Sequence, residues 1–122
     1  MDFNGKVVST TGAAGGIGRA SAIQFAELGA QVAIADIDES GLAETAALIG
    51  ENAMVVPTDV ADDNACQALV DRTVEAYGRL DVIFNNAGIA GVRGLTGEQS
   101  TADWQRVMDI NLSGVFYLSL IH

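Results

Sequence analysis

The sequence predicts an α/β fold, a parallel sheet covered by helices on both faces in three αβα layers. Two observations carry this expectation. Short apolar runs of strand length alternate with longer segments whose apolar residues recur at helical spacing. The first run is joined to its helix by a glycine-rich turn, Thr11-Gly12-Ala13-Ala14-Gly15-Gly16-Ile17-Gly18. Strands alternating with helices imply βαβ units with right-handed crossovers, so both sheet faces are buried. The expected strand order is 3-2-1-4, with a ligand at the carboxyl ends where the order reverses. No repeat, low-complexity tract or linker divides residues 1–122, which are expected to form one domain.

Residues 6–10 read as the first strand. The helix after it covers about residues 16–28, with Ile17, Ala20, Ser21, Phe25 and Leu28 on one face and Gly29 at its C-terminal cap. A second strand at 31–35 ends at Asp36. A second helix over 39–49 buries Leu42, Ala46 and Ile49 and stops at Gly50. The third strand covers 53–56, and Pro57 falls at its exit, where a missing N–H costs least. Asp62 is the expected N-cap of a third helix, which places Cys66, Leu69, Val70, Thr73 and Tyr77 on one face and stops at Gly78. Cys66 there is a small core residue rather than a nucleophile. The fourth strand, 80–84, leads into Asn85-Asn86-Ala87-Gly88. A glycine-rich loop at 89–99 precedes Ser100 or Thr101, the N-cap of a last helix that is increasingly apolar all round from 104 to 121.

Composition narrows the function. Net charge is −10, which repels nucleic acid and anionic membrane, and no basic stripe offsets it. No apolar run reaches 18 residues, so no membrane span is expected. The N-terminus lacks the basic start and apolar core of a signal peptide, and the expected location is cytoplasmic. A single cysteine excludes an internal disulfide and a thiolate metal cluster. The only histidine, His122, makes a histidine triad or zinc site unexpected, so no metal site is assigned.

The glycine turn suits an anion. Without a Cβ the backbone turns sharply and approaches a ligand closely, and the helix after it presents unpaired N–H groups and a positive dipole end. With so acidic a chain, a phosphate is held by backbone groups, Arg19 being the nearest cation. Asp36 lies 20 residues beyond Gly16, where a dinucleotide-binding domain places the carboxylate for the adenosine ribose hydroxyls. Its charge repels a 2′-phosphate, and Ile37 follows rather than a basic residue, so NAD is expected over NADP. Asp59 and Val60 present a carboxylate and a backbone amide to an adenine edge, or serve only as a helix entry. Asn85-Asn86-Ala87-Gly88 lets the backbone lie against a cofactor while the amides brace neighbouring loops, or is a plain turn.

Together these residues resemble the short-chain dehydrogenase/reductase family over the part that carries its Rossmann-like, NAD-binding half. Residues 11–18 match its T-G-x-x-x-G-x-G, Asp36 its NAD-selecting acid, Asp59-Val60 its adenine-contacting pair and Asn85-Asn86-Ala87-Gly88 its N-N-A-G. Asp109-Ile110-Asn111-Leu112 matches the segment with its catalytic asparagine. The resemblance implies cofactor contacts from Gly12, Ala14, Gly15, Gly16, Ile17, Gly18, Asp36, Ile37, Asp59, Val60, Asn86, Ala87 and Gly88. It also implies a catalytic Asn111 supporting a proton-relay water. The implied chemistry is hydride transfer between a nicotinamide and a small carbonyl or alcohol substrate; the open edge of the fourth strand and the incompletely covered apolar last helix lead to the expectation that the chain self-associates as a homo-oligomer.

The family's serine, tyrosine and lysine have no counterparts here. Four residues after Tyr117 is Ile121, four after Tyr77 is Asp81, and the only lysine is Lys6. The chain as given is therefore expected to be inactive alone, since a family member is roughly twice this long. Only the loop at 89–99 is expected to touch substrate. Ser9 and Thr10 depart from the family's apolar strand, and each is expected to hydrogen-bond locally. Two other readings stand beside this one. One is a small non-catalytic dinucleotide-binding or interaction module. The other is a domain for another adenine ligand such as a methyl donor, against which the N-N-A-G and D-I-N-L segments argue.

Overall fold

Valine, isoleucine, alanine and threonine dominate the strand segments, as a sheet buried on both faces requires. The computed structural model describes residues 1–120. Expectations that fall on Ile121 and His122 lie outside the described residues. β1 (Val7–Thr11), β2 (Gln31–Asp36), β3 (Ala53–Pro57) and β4 (Val82–Phe84) form one parallel sheet in the order β3-β2-β1-β4. Val8 pairs with Val32 and Val82, and Thr10 with Ile34 and Phe84. Pro57 ends β3, an edge strand, where it leaves no ladder bond unmade.

Alternation along these strands divides the interior into two cores. Val8, Val32 and Ile34 pack with Ala22 of α1 (Gly16–Glu27) and Leu42 of α2 (Glu39–Ile49). Ala33, Ala35 and Val56 face the other way, against Cys66, Leu69 and Val70 of α3 (Asp63–Tyr77) and against Leu118. Ile34, Leu42, Leu69 and Leu118 are all but inaccessible, and each contributes about 1.5–3 kcal/mol by burial. Asp38, Asp62 and Ser100 cap their helices by accepting backbone N–H groups, Asp38 from Gly41 and Asp62 from Asn64 and Ala65. Among the described residues, no helix is long and apolar enough to cross a membrane.

Four expectations are corrected. α1 turns a different face inward: Gly18 and Ala22 are buried, whereas Ile17 is 71% exposed and Ala20 is open. A Cβ on Gly18 would collide with the Gly12 carbonyl, so the absence of a side chain, not an apolar one, decides which face approaches. The strand expected at 80–84 begins only at Val82. Asp81 instead pairs with Arg79 at 2.6 Å, accepts the Val7 N–H at 2.9 Å and donates its own N–H to the Val7 carbonyl. These contacts hold the Asp81 carboxyl below the usual carboxylate range, the Arg79 hydrogen bond being the largest cause.

The last helix is not continuous. α4 (Thr101–Met108) gives way to a π-helical turn, Asp109–Ser113, before α5 (Gly114–Leu120). The Gly114 N–H reaches back to the Asp109 carbonyl, one residue further than in an α-helix. The wider turn sets the phase so that Gly114 lies against Val60, where a Cβ would come within 2.9 Å of the Val60 carbonyl. Leu118 is then directed inward, while Leu112, Phe116 and Leu120 stay exposed.

Finally, the hydroxyls of Ser9 and Thr10 are buried with no hydrogen-bond partner among the described residues. Their strand neighbours are Ala33 and Ile83 for Ser9, Ile34 and Phe84 for Thr10, and none offers an acceptor side chain. The local bonds expected of them do not form, because mid-strand side chains stand off the sheet while the ladder occupies the backbone. Replacing Thr10 with valine keeps the shape and removes a desolvated hydroxyl. T10V is therefore expected to stabilise the fold by about 1 kcal/mol, read as a higher urea midpoint. A lower midpoint would show that the hydroxyl has a partner.

Candidate functional site

The carboxyl ends of all four strands open toward one region. Gly12 follows β1, Asp36 ends β2, Thr58 follows β3, and Asn85-Asn86-Ala87-Gly88 follows β4. A cavity of about 110 Å³ lies between them, lined by Gly12, Asp36, Ile37, Thr58, Asp59, Val60, Ala87, Gly88, Ile89 and Ile110. Seven of the residues singled out from the sequence thus meet around one space. Its walls are mainly apolar, from Ile37, Val60, Ala87 and Ile110, with the Asp36 and Asp59 carboxylates among its polar groups. The Asp59 carboxylate accepts the Ala61 N–H at 3.0 Å, so Asp59 also serves as a turn residue at the entry to α3.

Of the glycine turn only Gly12 lines this cavity, and residues 13–18 stand beside it. Gly12 has φ +66° and is pressed against β4's exit: a Cβ there would lie 2.8 Å from Asn86 Nδ2 and 3.0 Å from Ala87 Cα. Gly16 has φ +54°, the left-handed region that favours glycine, and both it and the extended Gly15 face open space. Gly18 is buried, so it packs the helix onto the turn, whereas Ile17 is exposed at the rim. Ala14 joins the turn to Asp36, whose Oδ2 accepts the Ala14 N–H at 3.1 Å, while Oδ1 accepts the N–H of Asp38 at 3.1 Å.

α1 differs from the other helices at its start. Its N-cap is Gly15, which supplies no capping side chain, whereas α2, α3 and α4 are each capped by a carboxylate or hydroxyl. A helix start left without a protein acceptor presents donors to an anion. Arg19, the nearest cation in sequence, does not face that space. Its guanidinium is turned behind the turn onto backbone carbonyls, Thr45 and Glu44.

β4's exit is held by a residue whose role the sequence did not disclose. The Thr11 hydroxyl accepts the N–H groups of both Asn86 and Ala87 at 3.1 Å. The Asn86 amide in turn donates to the Gly12 carbonyl at 3.4 Å, so it braces the loops and does not point into the cavity. Asn111 lies beyond, on the π turn. Its side chain clasps the Ile89 backbone, accepting the N–H and donating to the carbonyl, each at 2.8 Å. Thr58 and Ile110 were likewise not foreseen as lining residues, and Ile89 was expected only as the start of the substrate loop, since their contribution depends on where the loops and the π turn bring them.

Other reactive groups lie elsewhere. Cys66 is buried behind the cavity against the Val60 carbonyl. Burial, then the charges of Asp62, Asp59 and Asp63, pushes its thiol up to about 11, so it stays neutral. Lys6 precedes β1 at the opposite end of the sheet, and neither Tyr77 nor Tyr117 lines the cavity. Among the described residues no cluster of three or more metal-ligating side chains occurs.

Thr11→Val leaves the Asn86 and Ala87 N–H groups without their acceptor. A loss of about 1–3 kcal/mol is expected, with Thr11→Ser near wild type, both read by urea denaturation. Equal stability of T11V and wild type would remove this hydroxyl as the anchor of the β4 exit.

The sequence profile described as short chain dehydrogenase matches residues 6–121. An uncharacterized oxidoreductase of Thermotoga maritima is 47% identical over 98% of this chain and 47% of its own length. A short chain dehydrogenase/reductase from Burkholderia phymatum, solved in complex with NAD, superposes with a TM-score of 0.94 at 40% identity. It covers 99% of this chain and 44% of that one. An NAD+-bound xylitol dehydrogenase gives 0.93 at 35% identity, over 98% and 47%. The chain thus spans about half the length of the relatives it matches. It belongs to the short chain dehydrogenase family.

Proposed function

We propose that this chain binds NAD in preference to NADP, as the cofactor half of an enzyme that transfers hydride between a nicotinamide and a small carbonyl or alcohol. The observation that carries the reading is the start of α1: uncapped donors beside open backbone at Gly15 and Gly16, 20 residues ahead of Asp36. When bound, the nicotinamide would supply the hydride donor or acceptor. The chain's residues bind and orient. The turn's N–H groups meet the pyrophosphate, the Asp36 carboxylate accepts the ribose hydroxyls, and the apolar walls of the cavity take a planar ring between Ile37, Val60 and Ile110. Asp59 and the Val60 amide address that ring's edge. Asn86, Ala87 and Gly88 keep the backbone beyond β4 low enough for the cofactor to pass.

Asn111 enters through position. By clasping Ile89 it fixes the start of the loop at 89–99, which faces substrate in this reading. Its main chain lies in the π turn next to Ile110 of the cavity wall, and in this reading it supports a proton-relay water. A non-catalytic binding module is the second reading, favoured by one observation: among the described residues no lysine or tyrosine lines the cavity. Hydride-transfer assays on the protein that carries this chain separate the two.

Asp36→Ala is expected to lower NAD affinity by about ten- to a hundredfold, from lost charge-assisted hydrogen bonds. NADP affinity should change less, because a repulsive charge also disappears. Calorimetric titration of both cofactors gives the ratio, and an unchanged ratio overturns the ribose assignment. Gly16→Val should abolish binding, and retained affinity would take the turn out of the site.

Assembly follows from the surface. β4's outer edge pairs with no strand among the described residues, and Trp104, Leu112, Phe116 and Leu120 are more than half exposed. The chain is expected to form homo-oligomers, seen in light scattering as species heavier than 12.6 kDa at micromolar concentration. A monodisperse monomer would contradict this.

A further inference from the structure

Between β1 and the donors at the start of α1 the chain passes through Ala13 and Ala14, and every backbone polar group of these two residues is occupied. The Ala13 N–H donates to the Ala35 carbonyl at 3.1 Å, and the Ala14 N–H to Asp36. The Ala13 carbonyl accepts from the Thr45 hydroxyl at 2.8 Å, and the Ala14 carbonyl from Arg19 Nη2 at 2.6 Å. Thr45 is fully buried on α2, and its oxygen also accepts Arg19 Nε at 2.9 Å. Arg19 Nη2 reaches the Gly41 carbonyl at 3.2 Å and Glu44 at 3.0 Å as well. Gly41 brings α2 against the turn, since a Cβ there would lie 2.7 Å from the Ala14 Cβ.

In so acidic a chain, a cation near an anion site is expected to face the anion. This one is spent on carbonyls. A planar guanidinium with several donors can join four acceptors at once, which a lysine ammonium cannot do with the same geometry. Both carbonyls are thereby held on the α2 side of the turn. The Ala14 carbonyl shares its trans peptide unit with the Gly15 N–H, so holding the carbonyl on that side turns this N–H outward.

We propose that Arg19 and Thr45 are positioning residues for the pyrophosphate: Arg19 grips the Ala14 carbonyl from behind and so aims the Gly15 N–H at the ligand, while Thr45 holds both the Arg19 guanidinium and the Ala13 carbonyl at the entry to the turn. Neither touches the ligand. The inference rests on the dinucleotide reading of the site and makes α2 a functional part of it.

The test is calorimetric titration of the full chain with ADP and with adenosine, which lacks the phosphates. Thr45→Val keeps shape but loses the hydroxyl, and is expected to weaken ADP about tenfold while adenosine stays within about twofold. Thr45→Ser should restore ADP binding. Arg19→Lys and Arg19→Met should weaken ADP alike, with the salt dependence of ADP binding unchanged from wild type. Three results overturn the proposal: wild-type ADP affinity in T45V; wild-type affinity in R19K with loss and a shallower salt dependence in R19M, which would mark a direct charge contact; or equal loss of both ligands in T45V and R19K, which would mark general destabilisation. If T45V does not fold, R19K decides by the same comparison. Wild-type protein that binds neither ADP nor NAD would instead refute the dinucleotide reading itself.

Discussion

The structure depends on a division of hydrogen-bonding groups around one turn. A buried polar backbone is stable only when its groups are paired, yet an anion site must keep donors unpaired. Residues 13 and 14 are saturated from Ala35, Asp36, Thr45 and Arg19 while the start of α1 is left without a side-chain cap, which in the proposed reading serves both demands. Glycines then carry what side chains cannot. Gly12 admits the β4 exit, Gly18 admits the turn, and Gly41 admits α2. Each is a place where two backbones meet, so the fold and the site share one set of close approaches.

How much of this was legible varied with the kind of constraint. Strand order and the glycine turn were readable because local chemistry leaves few choices: a left-handed Gly16 or a βαβ alternation has little alternative meaning. The place of Asp36 at the end of β2 was readable from its spacing, although its bond to the Ala14 N–H was not. The misread face of α1 has a plain cause, since an apolar pattern does not count Gly18, the residue that makes the tightest contact. The π turn is hidden in a segment apolar on every side, where a one-residue change of phase alters no pattern. Thr11, Arg19 and Thr45 look like ordinary residues at turn and helix positions. Their importance comes from partners that only the folded chain supplies.

Ser9 and Thr10 show the opposite imbalance. Two desolvated hydroxyls sit in the central strand, next to the part of the chain with the densest network of satisfied groups. The contrast with Thr11, one residue on, is geometric. At the end of β1 the same hydroxyl reaches beyond the ladder to free N–H groups, whereas in mid-strand the ladder has none to give.

The bond from Thr11 to Asn86 joins residues 75 apart in sequence. β4 is three residues long and meets the sheet only through β1, so closing that long loop is also what completes the rim of the cavity. Loop closure over such a distance carries an entropic cost that local helix contacts do not, and it is met only when the final strand docks. The cavity exists only while β4 is docked, because Ala87 and Gly88 of its lining follow that strand. In the dinucleotide reading, a ligand held there favours the docked strand by mass action.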